Sequence, residues 1–172
     1  WDKKKYPKRW AREIFGLWRR TSPSVGADGT VYVPQFRRRV NHVKRGARLH
    51  AITPEGKKKW IFTMLGYNTA GAPALGADGT IYVAGGNPEA VSKVGGVANG
   101  LLYALNPNGT QKWTPIPLET RSTGAPAIAT NGILYLGTRH DGVLHAVSSF
   151  SHGLQADGWP RYKHDNKNTA FK

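Results

Sequence analysis

A chain of 172 residues with 39% hydrophobic and 10% aromatic side chains can pack one domain, which excludes wholesale disorder. No apolar run reaches the roughly 18 residues of a membrane-spanning helix, and the lack of cysteine excludes disulfides, thiolate metal sites and a cysteine nucleophile. The formal charge of +15 is uneven: residues 1–60 carry 17 basic and 4 acidic side chains, net +13, and residues 61–172 carry 8 and 6, net +2.

From the N-terminus, Lys3-Lys-Lys5 and Lys8-Arg9-Trp10 open a basic stretch that continues through Arg19-Arg20. Thr21-Ser-Pro-Ser-Val-Gly-Ala-Asp-Gly-Thr-Val-Tyr-Val33 comes next, and it recurs as Gly71-Ala-Pro-Ala-Leu-Gly-Ala-Asp-Gly-Thr-Ile-Tyr-Val83 and Gly124-Ala-Pro-Ala-Ile-Ala-Thr-Asn-Gly-Ile-Leu-Tyr-Leu136. A second motif trails each copy: Leu49-His-Ala-Ile52, Leu102-Tyr-Ala-Leu105 and Leu144-His-Ala-Val147. The first two lead into Pro54-Glu-Gly-Lys-Lys-Lys-Trp60 and Pro107-Asn-Gly-Thr-Gln-Lys-Trp113. Trp10, Trp60 and Trp113 each lie 13 residues before Pro23, Pro73 and Pro126, so Trp10 closes a preceding unit. Fixed spacing of this kind marks a structural repeat of about 50 residues.

Each unit reads as four short strands. Asp28-Gly29, Asp78-Gly79 and Asn131-Gly132 suit a type I′ hairpin turn, which needs positive φ at both centres. Glu55-Gly56 and Asn108-Gly109 mark a second hairpin in the first two units. Val31-Tyr-Val33, Ile81-Tyr-Val83 and Leu134-Tyr-Leu136 are nearly continuous in apolar character, as expected of strands covered on both faces. Proline at the start of each unit belongs on an edge strand, where a missing N–H costs no ladder bond. The Gly-rich run from Gly85 to Gly100 reads as a long loop between the second and third strands of the middle unit. Together these features predict an all-β fold: a partial β-propeller of about three four-stranded antiparallel blades. The units span about 10–59, 60–112 and 113–150, with a closing segment at 151–172.

The runs Ala51-Ile-Thr-Pro-Glu-Gly-Lys-Lys-Lys-Trp60 and Ala104-Leu-Asn-Pro-Asn-Gly-Thr-Gln-Lys-Trp113 resemble the tryptophan-docking repeat of the PQQ-like (quinoprotein, BamB-like) β-propellers. The segments at 22–33, 72–85 and 125–137 are similar to the same family, as is the tail Gly158-Trp-Pro-Arg-Tyr-Lys-His-Asp-Asn-Lys-Asn-Thr169. The resemblance implies that Trp10, Trp60 and Trp113, with Ala51, Ala104 and Ala146, pack between neighbouring blades. It also implies an extracytoplasmic location. Rings of that family hold six to eight blades, so three imply a longer chain or association of copies over the open faces.

Residues suited to chemistry do not cluster. Asp28, Asp78, Asp141 and Glu55 belong to turns, and the other carboxylates show no ligand spacing. His50 and His145 fill the slot of Tyr103 and read as strand side chains; His42 sits in a basic loop. No Gly-x-Ser-x-Gly elbow or P-loop occurs. The expectation is therefore a non-catalytic module without cofactor or metal. The basic first third is self-repelling unless an anionic partner neutralises part of it. Arg37, Arg38, Arg39, Lys44, Arg45 and Arg48, between two strands, are its expected contacts with an acidic protein, lipid headgroup, polysaccharide or nucleic acid. The alternatives are a fragment of a quinone-dependent dehydrogenase and a subunit that polymerises blade to blade.

Overall fold

A computed structural model of the protein describes residues 10–14, 22–35, 46–65, 69–86, 100–118, 124–138 and 142–161. Eleven strands form three antiparallel sheets, and no helix occurs among the described residues. The first sheet is β1 (Ser24–Val25), β2 (Val31–Gln35), β3 (Arg48–Ile52) and β4 (Lys58–Thr63), in that order. The second is β5 (Thr69–Leu75), β6 (Ile81–Gly86), β7 (Gly100–Leu105) and β8 (Ile116–Leu118). The third is β9 (Ala127–Ile128), β10 (Ile133–Gly137) and β11 (Leu144–Ser148). Within each sheet consecutive strands pair, and no sheet closes on itself among the described residues.

The repeat registers are the same in each sheet. Tyr32 pairs with Ala51, Tyr82 with Ala104, and Tyr135 with Ala146. Successive strand residues point to opposite faces, so the continuous apolar strands of the middle sheet serve two cores. Ile81, Val83, Leu101, Tyr103 and Leu105 meet Tyr32, Leu49, Ala51 and Met64 of the first unit. Tyr82, Ala84, Leu102 and Ala104 meet Ile128, Leu134 and Leu136 of the third sheet. Full burial of a Leu, Val or Ile side chain contributes about 1.5–3 kcal/mol, so these two interfaces hold the sheets together. The expectation of a sheet covered on both faces holds for the middle unit.

Five turns share one geometry, and it is not type I′. In Gly26–Thr30, the Gly29 N–H donates to the Gly26 carbonyl and the Gly26 N–H to the Thr30 carbonyl. The same pair of bonds recurs at 53–57, 76–80, 106–110 and 129–133. Only the glycine of each turn is left-handed (Gly29, Gly56, Gly79, Gly109 and Gly132, φ 76–87°), which makes a type I turn closed by a glycine bulge. At four of the five turns the side chain before the glycine favours this form, and at Glu55–Gly56 the Lys57 N–H donates to Thr53 Oγ1 instead. Asp28 Oδ1 accepts from the Thr30 N–H at 3.0 Å, Asp78 Oδ1 from Thr80 at 3.1 Å and Asn131 Oδ1 from Ile133 at 3.1 Å.

The prolines obey the edge rule: Pro23 precedes β1, Pro73 lies within β5 and Pro126 precedes β9, the edge strands of their sheets. The third unit departs from the four-stranded expectation. Where the others carry Pro54-Glu-Gly56 and Pro107-Asn-Gly109, it has Ser149-Phe-Ser151. Without the turn glycine the chain does not fold back along β11. Phe150 turns at φ 61° and the segment crosses to the other sheets instead. Leu154 bridges Gly76 and Trp159 bridges Val25; Gln155 donates to Leu75 O, and Leu75 donates to Pro160 O. The tail thus ties the first strands of the first two sheets. The 87–99 part of the Gly-rich run falls between β6 and β7, outside the described residues.

A polar ladder closes the end of each complete unit. Lys59 Nζ donates to Asp28 Oδ2 at 3.0 Å and Thr30 Oγ1 at 3.1 Å, and Lys112 does so to Asp78 and Thr80 at 2.7 and 2.6 Å. Burial opposes ionisation of Asp28, but the Thr30 bonds and Lys59 outweigh it and hold the carboxyl at about 2. Burial likewise opposes ionisation of Asp78, while Lys112, Ser151 and Thr80 hold it well below the carboxylate range. A folded-state pKa below the unfolded value means the unfolded chain binds more protons, so stability rises with pH in that window. Stability should be complete above about pH 4 and decline toward pH 2. Solvent screening limits each half-exposed pair to about 1 kcal/mol or less. Urea unfolding across that range should show a shallower acid loss in Asp78→Asn than in the parent chain; an identical slope would contradict the assignment.

Candidate functional site

Two of the three indoles predicted to join neighbouring units sit on the turn of an adjoining unit. Trp60, on β4, lays its ring over Gly109 in the turn after β7, and its Nε1–H donates to the Pro107 carbonyl at 2.9 Å. Trp10 repeats this one unit earlier, with its ring over Gly56 and a 2.8 Å bond to the Pro54 carbonyl. A Cβ at Gly109 would lie 2.6 Å from the Trp60 ring, and one at Gly56 2.8 Å from that of Trp10. The turn glycine is therefore required twice, for its left-handed backbone and for the approach of the indole. Within its own sheet Trp60 leans on Tyr32, ring centroids 5.8 Å apart, and Trp113 leans on Tyr82 at 6.3 Å.

Trp113 departs from the pattern. Its ring packs against the core between the second and third sheets, yet its buried Nε1 has no acceptor among the described residues. The carbonyl equivalent to those of Pro54 and Pro107 is that of Ser149, and it accepts from the Tyr82 hydroxyl instead. Tyr82 also bonds Ser151 Oγ at 2.7 Å. The lost turn motif therefore also removes the third docking site.

The expected interblade alanines divide in the same way. Ala51 and Ala104 are fully buried against the next sheet, whereas Ala146 is exposed. Its cross-strand partner Tyr135 is 37% exposed, while the equivalent Tyr32 and Tyr82 are 4% and 0% exposed. Gly137 pairs with Leu144, which is 68% exposed, and Ala127 and Ile133 lie at the same alternation. One face of the third sheet is thus an open apolar surface. The tyrosine was not singled out by sequence reasoning, although its place in all three motifs was a usable signal.

The opposite end of the stack carries a cavity of about 250 Å³ over the outer face of the first sheet. Arg12, Glu13, Ile14, Gln35, Arg48, His50 and Ile61 line it. Pairing sets His50 opposite Ile61, with Gln35 and Arg48 at the end of the same ladder. His50 Nε2 and Gln35 Oε1 share a hydrogen bond at 2.8 Å. Arg12 is anchored by an Nη1 bond to Gly56 O at 3.0 Å. Arg48 is the first residue of β3 rather than a loop residue. The other expected anion contacts, Arg37, Arg38, Arg39, Lys44 and Arg45, lie outside the described residues. His145 is a strand residue as expected, and no group of three potential metal ligands occurs among the described residues.

No protein-family model matches the chain, and no curated protein matches it. The site is therefore read from its own geometry. The indole contact yields a controlled comparison: Gly109 and Gly132 share the left-handed turn position, but a Cβ at Gly132 would meet its nearest atom at an ordinary 3.5 Å. Alanine imposes the same backbone strain at both. Gly109→Ala should then lose about 1–3 kcal/mol more stability than Gly132→Ala in urea unfolding; equal losses would show that the indole does not rest on Gly109.

Proposed function

We propose that the chain is a non-catalytic binding and assembly module, a three-bladed PQQ-like propeller segment whose open blade face docks a second copy of the same repeat. The observation that carries this reading is the exposure of Tyr135, Ala146 and Leu144 at positions whose counterparts bury against a neighbouring sheet. Inside the molecule, every covered face of this type is covered by a sheet of the same repeat, and another chain supplies one. The residues that recur in all units serve turns and packing, which supports a module over an enzyme. The resemblance to that family supports an extracytoplasmic setting. A basic N-terminal third of net +13 supports an anionic component in whatever the assembly engages.

The size of the face bounds the affinity. Strands of two, five and five residues, about 4.8 Å apart, present roughly 190 Å². Stable interfaces bury about 800 Å² per partner. Association through this face alone is therefore weak and concentration-dependent. Sedimentation of the parent chain should show a mass rising above 18.8 kDa as concentration increases, and Leu144→Lys should restore the monomer without loss of stability, because Leu144 is exposed. A parent chain that stays monomeric, or a Leu144→Lys chain that associates equally, would overturn the assignment.

A further inference from the structure

We infer that the Trp10 segment of one copy completes the third sheet of another, standing beside β11 as the fourth strand that this sheet lacks. The inference rests on the reading that copies of the chain dock, and it names the segment that makes the contact and its direction. In the first sheet Trp60 has two roles. It pairs with Ala51 and leans on Tyr32 in its own sheet, and it rests on the Gly109 turn of the next unit. Trp10 has only the second role. Its indole rests on the Gly56 turn and bonds the Pro54 carbonyl, while residues 10–14 belong to no strand. The third sheet presents the converse: Tyr135 pairs with Ala146 as Tyr32 does with Ala51, yet no indole leans on Tyr135 among the described residues. Trp10 is 38% exposed and Tyr135 37%. The second sheet lies between them, packed on the first and third, so Tyr135 takes its indole from a second copy.

The edge of β11 fits this occupant. An uncovered strand edge is a template for pairing unless lysine, proline or a bulge blunts it. The outer strand of the first sheet carries Lys58 and Lys59, and that of the second carries Pro117. β11, Leu144-His-Ala-Val-Ser148, ends its sheet with neither device. In such strand addition the main-chain ladder supplies affinity and the side chains supply register. The first sheet sets that register: Trp60 opposite Ala51 and Ile61 opposite His50 place Trp10 opposite Ala146 and Ala11 opposite His145 of the other copy. Because the two halves of the contact differ, copies join head to tail rather than symmetrically.

Sedimentation of two singly blocked variants tests this. Trp10→Ala removes the indole and leaves β11 intact; Leu144→Lys disables the third sheet and leaves Trp10. At concentrations where the parent chain associates, each variant alone should stay at 18.8 kDa. An equimolar mixture should form a one-to-one dimer, because the Leu144→Lys chain lends its Trp10 segment to the Trp10→Ala chain. Association of Trp10→Ala at parental strength, or a mixture that forms no dimer, would overturn the inference and leave the docking of open faces standing. A parent chain that is monomeric throughout would overturn both. The chain has no cysteine, which gives a second readout with Trp10 in place. Ala11→Cys and His145→Cys chains, mixed and oxidised, should yield disulfide-linked dimers of the two. Ala11→Cys mixed with Asn108→Cys, an exposed turn position, should not, and equal yields from both mixtures would also overturn the inference.

Discussion

The contact of Trp60 with the turn at Gly109 is the constraint on which the stacking depends. An indole on the last strand of one sheet reaches the first available backbone carbonyl of the next, and it lies flat because the turn residue beneath it has no side chain. The turn needs a left-handed residue for its own closure, and the docking needs an absent Cβ. Glycine satisfies both. Because Trp10 meets Gly56 and Pro54 in the same way, the device specifies the relation of one unit to the next rather than the fold of any single unit. The apolar cores between sheets supply most of the free energy; the indole supplies direction.

The third unit lacks that device, and its structure changes accordingly. Replacement of Pro-x-Gly by Ser149-Phe-Ser151 removes the hairpin, and with it the fourth strand and the acceptor for Trp113. The freed segment then ties β1 and β5 through backbone bonds at Val25, Leu75 and Ala77. Ser151 replaces a packing role with a polar one, donating to Asp78 Oδ1. The end of the stack is thus chemically unlike its interior. It has the tyrosine and alanine of a docking face and nothing among the described residues to cover them.

Much of this architecture is legible in the residue order, and the reasons are local. Strand positions and edge prolines are set by spacing, because the same short motifs recur in the same register, whereas the packing of Trp10 and Trp60 between units is implied by the family resemblance. The turn type is not legible, because Asp-Gly suits two geometries. The bond that the Thr30 amide donates to the Asp28 side chain favours the observed form, and a dipeptide rule does not see it. The missing fourth strand is signalled by the absent glycine at 151, though the destination of the tail depends on contacts with residues more than 70 positions away. The cavity is legible only in part. Arg48 stands out by charge, but Arg12, Glu13 and Gln35 join it through tertiary packing that no spacing encodes.

The most direct measurement of the central claim is the proton NMR environment of Gly109. An indole face lying on this residue predicts strongly upfield-shifted Gly109 α-protons and cross-relaxation between them and the Trp60 ring, both lost in Trp60→Leu. Gly109 α-protons at ordinary turn-glycine shifts, with no cross-relaxation to Trp60, would show that the sheets are not joined in this way and would contradict the claim.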